Sequence, residues 1–291
     1  MQLKKKLASG EFVVLAEMEP PKGTDVAALV ANAAAVRTKV DAFVVPEMGN
    51  AVMKLSSLGG ALLLQTKGLE AVLQICCRDR NRLALQADLL AAQALGIPNV
   101  VAVQGEDITY GDHHLARAVN DLSLMELLQA IQTLQGGRDL AGVELQGAPS
   151  FLVGSTVRVG LAETALDQEI AALDEKVKAG VHFFVTPPVF NLEVLEKFRL
   201  RLDGRQVKII PTVLLLKSVG MARYIERHLE QIQISPDVIL RIQKAPERVR
   251  ECVQIAAELV RGIQDKGYSG VQISTIGWED KIPAILAAAG I

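Results

Sequence analysis

Residues Glu70–Asp107 read EAVLQICCRDRNRLALQADLLAAQALGIPNVVAVQGED and decide the fold. The apolar run Ala71–Cys77 predicts a buried strand, which the polar turn Arg78-Asp79-Arg80-Asn81 ends. Leucines and alanines then recur at helical spacing from Leu83 to Leu95, until Gly96 and Pro98 stop the helix. A second apolar run, Asn99–Val103, closes on Gln104-Gly105-Glu106-Asp107. Strand, helix and strand in succession make a parallel βαβ unit. Ligands of parallel α/β folds lie beyond the carboxyl ends of the strands, so the polar groups after Cys77 and after Val103 are expected on one rim.

The alternation continues in both directions. Upstream, Phe12–Glu17 reads as a strand that runs into Pro20-Pro21-Lys22-Gly23. Thr24 or Asp25 caps a helix ending near Lys39, Asp41–Pro46 is a second strand, and Met53–Gln65 a second helix with a frayed start near Gly49. Downstream, Asp121–Leu134 is helical and Ser150–Thr156 is a fifth strand. The helix Thr164–Ala179 is followed by a sixth strand, Val181–Thr186, that breaks at Pro187-Pro188. Leu192–Leu202 is helical, Val207–Leu216 holds a seventh strand, and helical material runs from Ser218 to Lys266 with an interruption near Ser235-Pro236. Gly270–Thr275 is an eighth strand and Lys281–Ala289 a closing helix. About eight strands alternating with helices, without a linker, predict an α/β fold, a (β/α)8 TIM barrel forming a single domain over residues 1–291. A doubly wound open sheet is the second architecture. The one extended loop, Glu106–Asn120, follows strand four and contains Gly111-Asp112-His113-His114; a long loop on that rim is expected to be functional.

With 50% of 291 residues hydrophobic, the chain can bury a sizeable core. Its formal net charge of -2, with mixed signs and no basic stripe, points away from nucleic acid. Lys4-Lys5-Lys6 reads as a solvated helix face. The start MQLKKKLASGEF lacks the apolar segment of a signal peptide, and no run approaches the roughly 20 apolar residues of a membrane span. A cytoplasmic protein is expected. Cys76, Cys77 and Cys252 form no CxxC pair; Cys76 and Cys77, adjacent on a strand, should face opposite ways as reduced packing thiols.

No GxGxxG follows a strand, and neither GxxxxGK[ST] nor HExxH occurs. His113 and His114 lack partners at metal-ligand spacing and read as surface histidines; no metal is expected. Glu17 ends an apolar strand, where a buried carboxyl with a raised pKa could act as general acid; a carboxylate bonded to backbone amides has equal weight from position alone. Glu106 and Asp107 admit the same two readings. Lys176 reads as a solvated lysine on its helix.

Five blocks in order carry a resemblance over nearly the whole chain: Glu17-x-x-Pro20-Pro21; Cys77-Arg78-Asp79-Arg80-Asn81; ALGIPNVVAVQGE; Lys176-Val-x-Ala-Gly180; and Val185-Thr186-Pro-Pro-Val-Phe190. With them the chain resembles the methylenetetrahydrofolate reductase family, in its short bacterial catalytic-barrel form. The resemblance implies a flavoprotein oxidoreductase of one-carbon metabolism and methionine biosynthesis. It would pass a hydride from flavin N5 to 5,10-methylenetetrahydrofolate, giving 5-methyltetrahydrofolate. Glu17 falls on the family's general acid, and Glu106 is the second catalytic candidate. Gln74, Gln104, Gly105, Glu106, Asp112, Ser155, Thr156 and Lys176 are the expected flavin-binding residues. FAD is the flavin implied, and FMN stays open because Gln104 replaces an arginine. The folate is expected against Glu17, Pro187, Phe190 and Gln272.

The chain departs from the family at four places. The family's His-Leu-Thr-Cys on strand three is Gln74-Ile75-Cys76-Cys77, and its Arg-Gly-Asp after strand four is Gln104-Gly105-Glu106. The glutamine whose amide binds the pterin is Pro187, and the His-x-Tyr of strand eight is Gln272-x-Ser274. Loss of the pterin-binding amide gives a second functional class: a flavin- or folate-binding barrel with weakened turnover, acting as a scaffold in a one-carbon complex. Another folate or one-carbon reaction is a third. Pro187 and Ser274 remove groups that lined the face shared by folate and NAD(P)H, and the chain carries no Rossmann fingerprint. An electron-delivering protein subunit, within an oligomer, is therefore expected.

Overall fold

A computed structural model describes residues 2–229 and 232–291. The chain begins with a helix, α1 (Gln2–Ser9), followed by β1 (Val13–Glu17), α2 (Ala27–Val36), β2 (Ala42–Val45), α3 (Ser57–Thr66) and β3 (Ala71–Cys76). Next come α4 (Arg82–Ala94), β4 (Asn99–Val103), α5 (Leu124–Gln135), β5 (Leu152–Thr156), α6 (Glu163–Lys178), β6 (Phe183–Pro188) and α7 (Leu192–Leu202). The last elements are β7 (Lys208–Leu214), α8 (Val219–His228), α9 (Pro236–Lys244), α10 (Arg248–Asp265), β8 (Gly270–Ser274) and α11 (Ile282–Ala289). All eight strands pair in parallel with their sequence neighbours, and β8 pairs with β1, so the sheet closes. Closure excludes the doubly wound sheet.

Alternation along each strand divides the apolar side chains into two cores. Leu15 of β1, Val44 of β2, Cys76 of β3, Val101 of β4, Leu152 of β5, Phe183 of β6 and Ile210 of β7 fill the barrel interior. Leu3 and Leu7 of α1 join that interior cluster. The alternate residues, among them Val14, Phe43, Cys77 and Val153, pack outward with the helices. Cys76 and Cys77 thus face opposite ways, as alternation requires. Gly154 makes room for the largest interior side chain, since a Cβ there would run into the Phe183 ring.

Apart from shifted helix ends, such as α2 entered through Val26 without a side-chain cap and α5 capped by Ser123 rather than starting at Asp121, three stretches differ from the sequence reading. Helix α3 starts at Ser57, capped by the Ser56 hydroxyl, which accepts from the Gly59 N–H; residues 49–56 form a loop rather than a frayed helix. The strand β6 does not break at Thr186. It continues through Pro187 and Pro188 by a register shift between Val185 and Pro188, and such an irregularity is where a strand tolerates residues without an N–H. The helical material after Ser218 is three helices, α8 to α10, with Pro236 in the first turn of α9.

Candidate active site

Glu17 is the last residue of β1, and alternation after Val13 and Leu15 turns it into the barrel mouth. The Ser274 hydroxyl donates to its Oε1 at 2.6 Å, and the Gln272 amide donates to its Oε2 at 3.2 Å. Both partners stand on β8, two residues apart and therefore on the same face. Burial raises the Glu17 pKa to about 7 against the lowering hydrogen bond from Ser274; nearby Glu19 and Glu279 raise it further, while Lys54 opposes. Lys54 itself pairs with Glu19 at 2.5 Å. The carboxyl is thus held at the boundary between acid and carboxylate near neutral pH, the condition a proton donor requires. Below it, Gln272 Oε1 and Thr212 Oγ1 are buried without partners among the described residues, and Thr212 pairs with Gln272 in register. Their interior placement makes the floor under Glu17 polar.

On the β3 to β5 side, Gln74 accepts from the Glu47 N–H at 2.9 Å and leaves its own amide hydrogens unpaired among the described residues. Thr156 ends β5 on the interior parity, with its carbonyl accepting from Lys176 Nζ at 2.8 Å. Ser155 faces the other way: it is fully buried, and its hydroxyl donates to the Ala102 carbonyl. Lys176 corrects its sequence reading as a solvated lysine. It is 7% exposed, with Nζ 3.6 Å from Glu169 Oε1, and burial lowers its pKa. Phe190 is buried in the outer core rather than open at the mouth, and Pro187 offers only its carbonyl, which accepts from the Thr186 hydroxyl at 2.7 Å. The Cys76 thiol donates to the Gln104 carbonyl at 3.4 Å, and burial pushes it up to about 11, so it stays a neutral thiol.

Residues 104–120 cross the rim over the ends of β3 and β2. The Glu106 N–H donates to Gly49, Gly111 lies so close to Ala51 that a Cβ would strike its carbonyl, and Asp112 accepts from the Met53 N–H at 3.1 Å. Asp112 also pairs with Lys22 from the loop after β1, and hydrogen bonds from Lys22, His113 and Met53 hold its carboxyl far below the usual range. Gly105 adopts φ +86°, and a Cβ there would lie 2.5 Å from Cys76 Sγ, so the turn out of β4 requires glycine. The side chains of Gln104 and Glu106 are exposed. Among the described residues, no group of three His, Cys, Asp or Glu side chains could hold a metal ion, and no helix is long and apolar enough to cross a membrane.

Sequence reasoning missed Ser274 as the partner of Glu17 and Thr212 beneath it, and it placed the turn after β3 on the rim without giving its arginines a role. The signal for the first was available: in Gly-Val-Gln-Ile-Ser, the polar residues alternate with apolar ones and share a face. Arg80 pairs with Glu47 at 2.6 Å and Asp88 at 2.9 Å, tying the loop after β2 to α4.

The profile of the family described as methylenetetrahydrofolate reductase matches residues 2–290. Methylenetetrahydrofolate reductase 2 of Schizosaccharomyces pombe is 24% identical over 243 residues, covering 79% of this chain and 37% of that protein. The chain therefore spans just over a third of that relative's length. Among solved structures, 2,3-dimethylmalate lyase, a member of the PEP mutase/isocitrate lyase superfamily, superposes with a TM-score of 0.55 at 11% identity, covering 99% of this chain and 86% of the lyase. A second crystal form of that lyase superposes equally well, with a TM-score of 0.55 at 12% identity. These likenesses concern the barrel fold alone.

Proposed function

The chain belongs to the methylenetetrahydrofolate reductase family, and from that premise we propose that it reduces 5,10-methylenetetrahydrofolate to 5-methyltetrahydrofolate with a bound flavin, Glu17 serving as general acid. The observation that carries this reading is the Glu17 carboxyl at the mouth, held by Ser274 and Gln272 and poised at about 7. Protonation of N10 of the substrate opens its five-membered ring and leaves an N5 iminium that accepts hydride. Glu17 supplies that proton, and the donor hydrogen bonds from Ser274 and Gln272 stabilise the carboxylate it becomes. Both described partners present donors to Glu17, which disfavours turning the acid proton toward β8 and leaves the mouth as its outlet.

The residues present fit a flavin. Gln74 offers free amide hydrogens suited to a pyrimidine carbonyl, and Lys176 brings a cation to the end of β5. Gln74, Gly105, Thr156, Lys176 and the loop through Asp112 would hold it, with Gln104, Glu106 and Ser155 in the same sector. The bound flavin supplies the hydride. FAD is favoured by the loop after β4 together with Lys176, and FMN is the other form. The purified protein is expected to be yellow, and mass spectrometry of the released cofactor identifies the flavin. Reduced anaerobically, the protein should reoxidise when methylenetetrahydrofolate is added. A colourless protein that takes up neither flavin would overturn the reading. A yellow protein that methylenetetrahydrofolate does not reoxidise would favour the second reading, a binding subunit with weakened turnover. Pro187, which offers no donor where the family has its pterin-binding amide, speaks for that reading.

The electron source in this proposal is a partner protein rather than NAD(P)H. Pro187 offers no donor and the Ser274 hydroxyl is committed to Glu17, so neither is available to orient a nicotinamide, and a displacement of about 1 Å can cost about 10²-fold in rate. Stopped-flow mixing of the isolated oxidised protein with NADH and with NADPH is expected to leave the flavin oxidised. Rapid bleaching by either would assign the donor role to that nucleotide.

A further inference from the structure

Arg78, in the turn after β3, is 3% exposed, and each N–H donor of its guanidinium is engaged. Nε donates to Asp79 Oδ1 at 2.7 Å. Nη1 donates to the carbonyls of Gly49 at 3.2 Å and Glu106 at 2.9 Å. Nη2 donates to the Met48 carbonyl at 2.5 Å and to Asp79 Oδ2 at 2.7 Å. The backbone carbonyl of the same residue accepts from the N–H groups of Val119 at 2.7 Å and Asn120 at 3.3 Å. One residue therefore grips both ends of the 104–120 loop and joins them to the loop after β2.

We propose that Arg78 is the positioning residue of the cofactor rim: it holds residues 104–120 and 47–50 in the arrangement that receives the flavin, without touching the flavin itself. The inference rests on the flavin reading above. Saturation of the fork carries it. Asp79 neutralises the charge in a two-point pair, and the remaining donors end on backbone carbonyls, so none is left for a phosphate. The family's arginine in the loop itself is Gln104 in this chain, and that side chain is exposed. Here a cation reaches the loop from the neighbouring turn and binds its backbone.

A planar five-donor fork and a point charge make different predictions. In Arg78→Lys, the charge survives but the bridging of three loops does not, so the lysine variant should behave like Arg78→Gln. In both, amide hydrogen exchange in the flavin-free protein should quicken at Glu106, Val119 and Asn120. The dissociation constants for FAD and FMN, read by fluorescence quenching, should rise about 10- to 100-fold, as the competent loop arrangement falls to a minor population. Folate-dependent reoxidation at saturating flavin should stay near the wild-type rate, since Glu17 is untouched. Wild-type flavin affinity in Arg78→Lys would overturn the proposal, because charge alone would then suffice. So would slow exchange at those amides in both variants. Should the wild type bind neither flavin, the flavin reading fails separately, and the exchange comparison alone decides whether Arg78 holds the loop. If neither Arg78 variant folds, Asp79→Asn, which keeps the arginine and removes its counter-charge, carries the same comparison: faster exchange with weaker flavin binding supports the proposal, and no change in either overturns it.

Discussion

Replacing Glu17 by glutamine is expected to slow the folate half-reaction about 10²–10⁴-fold while flavin binding survives. Glutamine keeps the size of the side chain but has no transferable proton, and it exchanges one of the two acceptor oxygens for an amide NH2. The wild-type rate should carry a pH signature from the same group. Burial raises the carboxyl to about 7, so the acid form predominates below that pH and is depleted above it. Reoxidation by methylenetetrahydrofolate should therefore be flat in mild acid and fall about tenfold per pH unit above neutrality. In Glu17→Gln, this limb should vanish along with most of the rate. The same shift governs stability. A carboxyl whose folded pKa lies above its ordinary 4.5 contributes in full below 4.5, and that contribution is lost as the pH rises through about 7. Wild type should thus lose stability relative to Glu17→Gln across that window and show a constant difference above it. Stopped-flow flavin absorbance and pH-dependent thermal melts make both measurements. A wild-type rate in the glutamine variant would remove this carboxyl from the reaction.

Phe183→Ala is expected to lower the stability of the fold by about 3–5 kcal/mol. The ring is fully buried inside the barrel, in the space left by Gly154 on the adjacent strand. A closed ring of paired strands cannot draw inward to refill that space, so the cavity term should be felt nearly in full. Urea unfolding followed by far-UV circular dichroism measures the loss, with Phe183→Leu expected to lose much less. A cost below about 1 kcal/mol for the alanine variant would show that the interior repacks.

The central unit was legible because its signals agreed. The expected strand Asn99–Val103 and the helix Leu192–Leu202 coincide with β4 and α7, each bounded by the residues that end such elements. The start of α3 was misread because Met53 and Leu55 are apolar, while the capping Ser56 lies inside the stretch assigned to the helix. Lys176 was misread although its position betrays it: Leu166, Ile170, Leu173 and Lys176 form one stripe at helical spacing, and that stripe is buried. The place of Glu17 at a strand end was visible, and the polar alternation of β8 marks Gln272 and Ser274 as sharing a face; what the sequence does not display is their pairing with Glu17, which depends on closure of the sheet across separations of 255 and 257 residues. The grip of Arg78 leaves no trace in the sequence. Its partners are mostly backbone carbonyls, which every residue carries, so no pairing of side-chain types could have announced it.

Because β8 pairs with β1, the described sheet presents no outer strand whose N–H and C=O groups could template another chain. A visiting protein cannot lengthen the sheet; it must recognise side chains on helices or on the loops at either end. For the proposed electron-delivering partner, the approach of closest access is then the same rim that is proposed to receive flavin and folate. Docking and substrate exchange would have to alternate there, or divide it between them.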